Sequence, residues 1–402
     1  MKKKVIAFMM ILSLLLFPGC WSRREVEDLA IVTAIGIDRM VLEGKERSKI
    51  SVLVARPSQL GGQQTKASAE TNADWLVSEV GDTLYDAMRK IYRRSPRNIR
   101  IYHNELVIIG ENSARAGVQD VFDYLQRHKD IRLRTWMFVS RGDAGETMNA
   151  MPEFENMLSQ EISEILLRSI PGTSETLAVD LKRFSDSLVT PGWDAVLPVV
   201  RVIEPGEAAG SKREQKEAGK TIMLEGLGLF RNNRLAGFMS PEEVTGFLYI
   251  IGETQRGAIT LEHKSANRSK SQIAVLISRA SSEIKPVFQE GRLVMEIKIE
   301  AEADVAEVQG DTAVGSPEVI KELNREFGQK IKSIAEGSLE TAQKKLKADI
   351  FGFGKKVHQK YPDYWKEVER DWYEIYPEVP VIVKADAKIR RTSVIADPFQ
   401  IR

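Results

Sequence analysis

One residue near the start of the chain is placed to undergo covalent chemistry. Cys20 is the only cysteine among 402 residues, and it follows three lysines at positions 2–4 and an apolar run over 5–17. That run is too short to span a bilayer comfortably at a rise of about 1.5 Å per residue. A charged start, a short apolar run and small residues before a cleavage point are typical of an export signal. The sequence therefore predicts a signal peptide over residues 1–19.

A cysteine at this point is the residue that lipoprotein processing modifies. Its thiol attacks a diacylglyceryl donor, the peptide bond before it is cut, and Cys20 becomes the acylated first residue. Each buried methylene contributes about 0.8 kcal/mol, so two acyl chains anchor far more firmly than one. We predict lipidation at Cys20, with Trp21 at headgroup level, where tryptophan is favoured. The alternative is an ordinary signal followed by a chance cysteine.

Other chemistry finds little support in the residue types. A lone thiol excludes an intramolecular disulfide, a Cys-ligated metal and a redox pair. The four histidines are far apart, and none belongs to a His-Glu-x-x-His pattern. The chain also lacks the Gly-x-Ser-x-Gly turn of many serine nucleophiles and a Walker-type glycine loop. We predict no enzyme, no metal and no cofactor, and the formal charge of +1 gives no reason to expect nucleic acid as a partner.

The chain is long enough to need more than one core. Single cores stop growing at roughly 250–300 residues, which this chain exceeds even without its signal peptide. Strand and helix patterns alternate along the first half. The predicted elements are strands over 31–38, 50–55, 103–110 and 131–140, and helices over 76–91, 118–125, 154–167 and 178–188. Asp74 is the predicted cap of the helix over 76–91, and Ser95-Pro96 its end.

The second half begins with a hairpin and ends with a strand. Asn232-Asn233 suits the centre of a tight turn, and Ser240 with Pro241 suits the start of a helix. The predicted strands cover 222–230, 235–238, 272–279, 283–289, 292–308 and 379–389, and apolar residues recur at helical spacing from 320 to 357.

These elements predict an α+β fold with several domains, mainly antiparallel sheets and helices flanking each sheet. Residues 204–220 are Pro, Gly, Ala, Glu, Lys and Arg with few apolar side chains, a composition typical of a linker. We therefore predict an N-terminal α+β domain over 20–200, a linker over 201–220, and a C-terminal α+β region over 221–402. That region divides further, in one interpretation, near residue 280.

Two clusters of side chains are candidates for binding. The first is basic and contains Arg89, Lys90, Arg93, Arg94, Arg97 and Arg100. It would either contact anionic lipid headgroups or form a solvated face near a helix C-terminus, where cations suit the helix dipole. The second is aromatic and contains Tyr361, Tyr364, Trp365, Trp372, Tyr373 and Tyr376. It would either form an interface or hold a helix against a sheet.

Three ordered blocks of residues carry a resemblance to a known family. The first block follows the cysteine: Trp21, Arg24, Glu25, Val26, Asp28, Leu29, Ala30, Gly36, Ile37 and Asp38. The second runs from Gly226 to Gly237 and continues as Ser240-Pro241-Glu242. The third contains Asp349, Phe351, Gly354, Tyr361, Trp365, Trp372, Val379, Val381 and Val383. In this order the blocks resemble the Ger(x)C family of spore-germination lipoproteins, and the resemblance covers nearly the whole chain after the signal peptide.

The resemblance implies a particular role. Members of this family are the lipoprotein C subunit of the nutrient germinant receptor, which lies in the inner membrane of endospores with an A subunit and a permease-like B subunit. Their fold is described as three α+β domains, and they have no known catalytic residues. Two other functions stay open from the residues alone. One is a lipoprotein that captures a small solute for a transporter, which needs a polar cleft. The other is a cell-envelope hydrolase, which needs a pair of perturbed carboxylates.

Overall fold

The computed structural model describes residues 29–55, 74–204, 219–264 and 270–391. The predicted signal peptide, Cys20 and Trp21 lie outside these ranges. The described residues form one sheet of nine strands and one of four strands, and helices pack against both. The prediction of an α+β fold with helix-flanked sheets is confirmed.

The first sheet has a parallel centre and antiparallel flanks. Its strands are β1 (Leu29–Leu42), β2 (Lys45–Ala55), β3 (Asp74–Gly81), β4 (Asn98–Arg100), β5 (Leu106–Ile109), β6 (Trp136–Ser140), β7 (Val196–Ile203), β8 (Thr221–Arg231) and β9 (Arg234–Met239). They lie in the order β3-β2-β1-β5-β6-β7-β8-β9, with β4 beside the start of β1. Strands β1, β5, β6 and β7 are parallel to one another. This parallel centre is a feature that the prediction of mainly antiparallel sheets did not include.

Helices cover both faces of the first sheet. They are α1 (Leu84–Arg94), α2 (Glu111–Ala116), α3 (Gln119–Arg127), α4 (Ala144–Thr147), α5 (Leu158–Thr173) and α6 (Leu181–Val189). Successive residues of a strand point to opposite faces. Accordingly, Leu106 and Ile108 of β5 belong to the core that includes α5, whereas Val107 and Ile109 belong to the core on the other face.

The predicted helix over 76–91 is wrong in its first half. Residues 74–81 form β3, which pairs antiparallel with β2, and the helix begins only after Thr83, whose side chain accepts a hydrogen bond from the Asp86 N–H. Apolar residues do recur at helical spacing over 76–91, but pairing with the neighbouring strand β2 overrides the local helical preference of residues 74–81. Asp74 caps a different helix, because its Oδ2 accepts from the Leu158 N–H at 2.8 Å. The predicted end at Ser95 is confirmed.

Residues 201–203 of the predicted linker 201–220 are the end of β7, and the rest of it lies between β7 and β8; residues 205–218 lie outside the described ranges. These two strands are antiparallel neighbours, with Ile203 opposite Thr221. The first sheet is therefore continuous across the predicted boundary, and β8 and β9 of the C-terminal region belong to it. The division of the chain into separate domains stays a prediction.

The second sheet consists of β10 (Ala258–Lys264), β11 (Lys270–Gln289), β12 (Arg292–Gln309) and β13 (Val381–Arg391) in that order. The two strands predicted over 272–289 are one long strand, whose pairing with β12 shifts register near Val275 and Arg279. One face of the sheet packs against α8 (Pro317–Leu339), and α7 (Pro241–Ile251) packs against α8. As predicted, the last strand completes the sheet beneath the long helix, and it runs parallel to β12.

The long helix ends earlier than its apolar spacing predicts. After Leu339 a π-helical turn covers Glu340–Lys345, and Lys347 and Gly352 have positive φ values of 53° and 67°. The left-handed Lys347 follows the end of the helix, and the left-handed Gly352 precedes the next helix. Three short helices then follow: α9 (Phe353–Lys360), α10 (Pro362–Val368) and α11 (Trp372–Ile375). The break brings Asp349 into contact with the first sheet.

A glycine sets the spacing of α7 and α8. A Cβ atom at Gly246 would lie 2.3 Å from the carbonyl oxygen of Ile334 and 2.3 Å from Ser338 Oγ. We expect Gly246→Ala to force the helices apart and to lower the free energy of unfolding by about 1–3 kcal/mol. Urea denaturation of the purified chain measures this change.

Gly337 provides the matched control, because it is an exposed glycine of α8 with open space around its Cα. Gly337→Ala should leave stability unchanged or raise it by up to about 1 kcal/mol, since alanine favours helices. An equal loss in both variants would show that helix spacing is not the cause.

Candidate functional site

Two buried carboxylates join the first sheet to the C-terminal helices. Asp194 lies just before β7, and Asp349 lies in the break after the long helix. They are 3% and 1% exposed. The Asp194 N–H donates to the Asp349 carbonyl oxygen at 2.9 Å, and the Asp349 N–H donates to Asp194 Oδ2 at 2.7 Å. This exchange defines the carboxylate junction, Asp194 and Asp349, at which the two parts of the chain meet.

Three N–H groups satisfy the Asp349 carboxylate. Its Oδ1 accepts from the Phe353 N–H at 2.8 Å, and its Oδ2 accepts from the Gly354 N–H at 2.8 Å and from Trp372 Nε1 at 2.9 Å. Two of these donors belong to the first turn of α9, where a negative charge also suits the helix dipole. Burial nevertheless raises the pKa of Asp349 to about 7, against the lowering effect of the three donors.

The Asp194 carboxylate gathers a different set of donors. Its Oδ1 accepts from the Asn232 N–H at 2.8 Å, in the β8–β9 turn, and from the Tyr373 hydroxyl at 2.7 Å. Burial raises the pKa of Asp194 and also that of Tyr373. The Tyr373 hydroxyl therefore keeps its proton and donates a hydrogen bond to Asp194. The turn that the sequence predicts at Asn232, with φ at 57°, is thereby held against the junction.

The aromatic cluster lies behind the junction, and the interface prediction is wrong for three of its members. Trp365, Trp372 and Tyr376 are at most 2% exposed, so they offer no surface to a partner. The two indole rings meet edge to face with centroids 5.3 Å apart, and the Tyr376 hydroxyl donates to the Ala348 carbonyl oxygen at 3.0 Å. The alternative that these rings hold helices in place is the one that the structure shows.

The remaining members of the cluster are half-buried. Tyr361 and Tyr364 pack edge to face against Phe288 of β11, with ring centroids 5.0 and 5.1 Å away. Tyr373 bonds to Asp194 and lies under the guanidinium of Arg231, 5.2 Å from the ring centroid. These three rings connect the short helices to both sheets, and an interface role for their exposed edges stays a prediction.

A close approach of two glycines completes the junction. A Cβ at Gly192, where φ is 69°, would lie 2.6 Å from the Gly354 backbone, and the Lys355 N–H donates to the Gly192 carbonyl oxygen at 2.9 Å. A Cβ at Gly354 would also lie 2.7 Å from Trp372 Nε1. Glycine is needed here because no larger residue leaves room for this contact.

A cleft of 540 Å³ opens beside the junction. Its walls come from α6, α7, the middle of β11 and the segment around α9, and Asp194 and Trp193 line it. The guanidinium of Arg183 at its edge pairs with both oxygens of Glu253 at 2.8 and 2.9 Å. Lys355 Nζ lies 4.0 Å from the Trp193 ring centroid. Arg183, Glu253 and Asp194 of this cleft thus already have partners within the protein.

The junction contains the perturbed carboxylates that a hydrolase would need, but they are not placed for catalysis. Every carboxylate oxygen of Asp194 and Asp349 accepts a hydrogen bond from a protein donor. A general acid or base must reach the substrate proton within about 2.6–3.2 Å. These nearly inaccessible oxygens instead bind the chain together.

Across the described ranges, no group of three or more His, Cys, Asp or Glu side chains is placed to hold an ion. His263 Nδ1 lies 3.1 Å from Glu326 Oε2, and His358 stacks on Trp365 with centroids 5.7 Å apart. These two histidines take part in packing within the fold.

The fold and the junction define a class of protein built from two helix-flanked sheets that share a polar seam. A solved structure titled "Crystal Structure of the GerBC protein" has the same fold, with a TM-score of 0.56 and 16% sequence identity over 91% of this chain and 99% of that chain. This likeness shows the architecture.

Sequence comparison is more specific. A family model described as "Spore germination protein N-terminal domain" matches residues 22–202, and one described as "Spore germination B3/ GerAC like, C-terminal" matches residues 225–393. Spore germination protein KC of Bacillus subtilis (strain 168) is 24% identical over 99% of this chain and 98% of its own length. Spore germination protein B3 of the same organism is 22% identical over 93% of each chain. The chain belongs to the GerAC-like spore germination family, the C subunits of germinant receptors.

Family membership settles two of the predictions. The resemblance seen in the sequence is confirmed, and the family is one of non-catalytic receptor subunits, so the chain is not an enzyme. A third observation concerns the membrane. Among the helices of the described residues, none is long and apolar enough to cross a bilayer.

Sequence reasoning missed half of the junction. Asp349 and Gly354 stand out only through the family resemblance, Trp372 stands out also through the aromatic cluster, and Asp194 stands out through neither. A single aspartate before a strand carries no pattern, because its donors come from residues far away in the chain.

The two buried tryptophans allow a direct test of the junction. Trp372 Nε1 donates to Asp349, whereas Trp365 Nε1 has no hydrogen-bond partner within the described residues. Substitution by phenylalanine removes the same atoms from both sites. We expect Trp372→Phe to lower the free energy of unfolding by about 1.5–3 kcal/mol more than Trp365→Phe, because a hydrogen bond to a charged group is lost. Urea denaturation of both variants checks this difference.

The loss of stability in Trp372→Phe should also depend on pH. Because burial raises the pKa of Asp349 from 3.8 to about 7, its protonated form adds stability that is full below about pH 4 and lost as the pH rises through about 7. The indole N–H favours the ionised form, so its loss should cost more at pH 8 than at pH 5. A penalty that is the same at both pH values would contradict a bond to the carboxylate.

Proposed function

We propose that the chain is the lipid-anchored, non-catalytic C subunit of a nutrient germinant receptor, required for receptor assembly or signalling during endospore germination. The observation that carries this proposal is the match of both halves of the chain to spore germination family models. The export signal that ends at Cys20 supports the lipid anchor.

In this proposal the protein lies on the outer face of the spore inner membrane. Acyl chains on Cys20 hold it there, with Trp21 at headgroup level. Its partners are the membrane and the A and B subunits of the receptor, and nucleic acid is not among them. The similarity to spore germination proteins A3 and B3 of Bacillus subtilis (strain 168) supports this assignment.

The carboxylate junction suits such a role. A subunit that acts through protein contacts must present its surfaces in a fixed arrangement, and the junction ties the first sheet, the β8–β9 turn and the C-terminal helices together. A mechanical change in one half can then reach the other through hydrogen bonds rather than through a flexible connection.

Deletion and complementation test the proposal in spores. We expect deletion of the gene to abolish the response through the cognate receptor, and the wild-type chain to restore it. The Cys20→Ser variant should not restore it, because a serine hydroxyl does not replace the thiolate nucleophile in the transfer of the lipid. The loss of absorbance of a spore suspension after nutrient addition measures the response.

Trp21→Ala is the matched control, since it changes the neighbouring residue and leaves the thiol in place. This variant should fractionate with membranes and restore germination at least in part, whereas Cys20→Ser should leave the membrane fraction. Normal germination of the deletion strain, or of spores that carry Cys20→Ser, would contradict the proposal.

One observation favours capture of a small solute instead, namely the 540 Å³ cleft beside the junction. Because Arg183 and Glu253 at its edge pair with each other, we expect no tight binding of amino acids or sugars. Titration calorimetry of the purified chain against a nutrient panel measures this. One-site binding that Arg183→Ala abolishes would favour the solute-binding function.

A further inference from the structure

The start of β1 shows which edge of the molecule faces the lipid anchor. Cys20 lies nine residues before Leu29, the first residue of β1. At a maximum of about 3.5 Å per residue, this segment spans at most about 30 Å. Leu29 pairs with Asn98, and Ile31 pairs with Arg100, in parallel register. The beginning of β4 therefore lies beside the point where the segment from Cys20 enters the fold.

Parallel pairing gathers further loops at this edge. Strands β5 and β6 run parallel to β1, so the loops that precede them lie on the same side as its first residue. Residues of these loops line one cleft: His103 and Glu105 come from the loop before β5, and Arg132 and Arg134 come from the loop before β6. The Trp136 N–H donates to the Glu105 carbonyl oxygen at 2.9 Å and fixes the two loops together. We call this side of the first sheet the amino edge.

The amino edge carries cations that have no acidic partner. Arg94 pairs with Glu79, and Arg127 pairs with Asp123. By contrast, six other cations form no ion pair with the described residues, and all are exposed or half-exposed. They are Arg93, Arg97, Arg100, Lys129, Arg132 and Arg134. The carboxylates of Glu105, Asp130 and Glu164 lie among them. Glu164 pairs with Arg168, so the edge keeps a positive excess.

Apolar and aromatic side chains accompany these charges. Leu133 stands between Arg132 and Arg134 and is 50% exposed, and Tyr92 at the end of α1 is 41% exposed. An exposed apolar or aromatic side chain flanked by arginines is favoured at the boundary between lipid headgroups and acyl chains.

We propose that the amino edge docks on anionic lipid headgroups, with Leu133 dipping into the interface. This inference rests on the proposed lipid anchor at Cys20, because the anchor keeps the edge within reach of the bilayer. Polybasic segments beside an anchor bind anionic lipid and act as its second attachment. Docking would fix the orientation of the first sheet relative to the bilayer.

A chain without acyl groups separates the edge from the anchor. The probe is the mature chain from residue 20 with Cys20→Ser, mixed with vesicles of phosphatidylcholine alone or with phosphatidylglycerol. We expect sedimentation only with the anionic vesicles, and at least about tenfold weaker binding in about 0.5 M salt. Reversal of four cations should weaken binding at least about tenfold. The substitutions are Arg93→Glu, Arg97→Glu, Arg132→Glu and Arg134→Glu.

A control with the same net charge distinguishes position from total charge. Four exposed lysines away from the amino edge form no ion pair with the described residues. Their reversal should leave vesicle binding within about twofold. The substitutions are Lys321→Glu, Lys356→Glu, Lys384→Glu and Lys388→Glu. An equal loss in both sets would overturn the proposal.

A dye label tests the orientation. With Cys20→Ser, a single new cysteine can carry an environment-sensitive dye at Leu133, or at Leu276 of β11, where the native side chain is 46% exposed. Only the Leu133→Cys label should shift its emission on anionic vesicles. Absence of vesicle binding would overturn the proposal that the amino edge binds lipid, and it would leave the proposed lipid anchor at Cys20 unaffected. Normal vesicle binding by the reversed edge, with loss of copurifying receptor subunits, would assign the edge to a protein partner instead.

Discussion

The exchange of hydrogen bonds between Asp194 and Asp349 is the interaction on which the rest of the structure depends. A buried carboxylate without partners costs several kcal/mol, and it is retained only where donors replace the water that it has lost. Here the donors come from the β8–β9 turn, the first turn of α9, and the side chains of Trp372 and Tyr373. Each of those segments is held in place because it satisfies a charge that the fold has already buried.

This constraint explains several features that otherwise look unrelated. The long helix breaks after its π-helical turn because Asp349 must reach the first sheet, and the positive φ of Gly352 turns the chain back into α9. The tryptophans are buried because their helices close over the junction. The perturbed carboxylates that resemble catalytic groups serve packing here, which agrees with a family of non-catalytic subunits.

The molecule has a direction that follows from its topology. The first described residue, Leu29, begins a strand of the parallel centre, and the cations of the amino edge, which form no ion pair with the described residues, lie at the same side of the sheet. The second sheet and its helices contact the rest of the chain at the carboxylate junction and at the α7–α8 contact around Gly246. A receptor subunit organised in this way would keep one edge at the membrane and present its other surfaces to protein partners.

The sequence by itself determined the local features whose causes lie within a few residues. The Asn232 turn, the helix start at Ser240 and the strands β12 and β13 follow from turn chemistry, capping and alternation, and the structure has them. The two strands predicted over 272–289 are the single strand β11, and β10 was not predicted. The ordered motifs also identified the family. Only the tertiary structure decided the features set by distant partners. β3 is a strand because β2 lies beside it, β7 and β8 pair across the predicted linker, and Trp365 is buried rather than exposed. Asp194 matters only because residues up to 179 positions away donate to it, and no local pattern encodes a contact of that range.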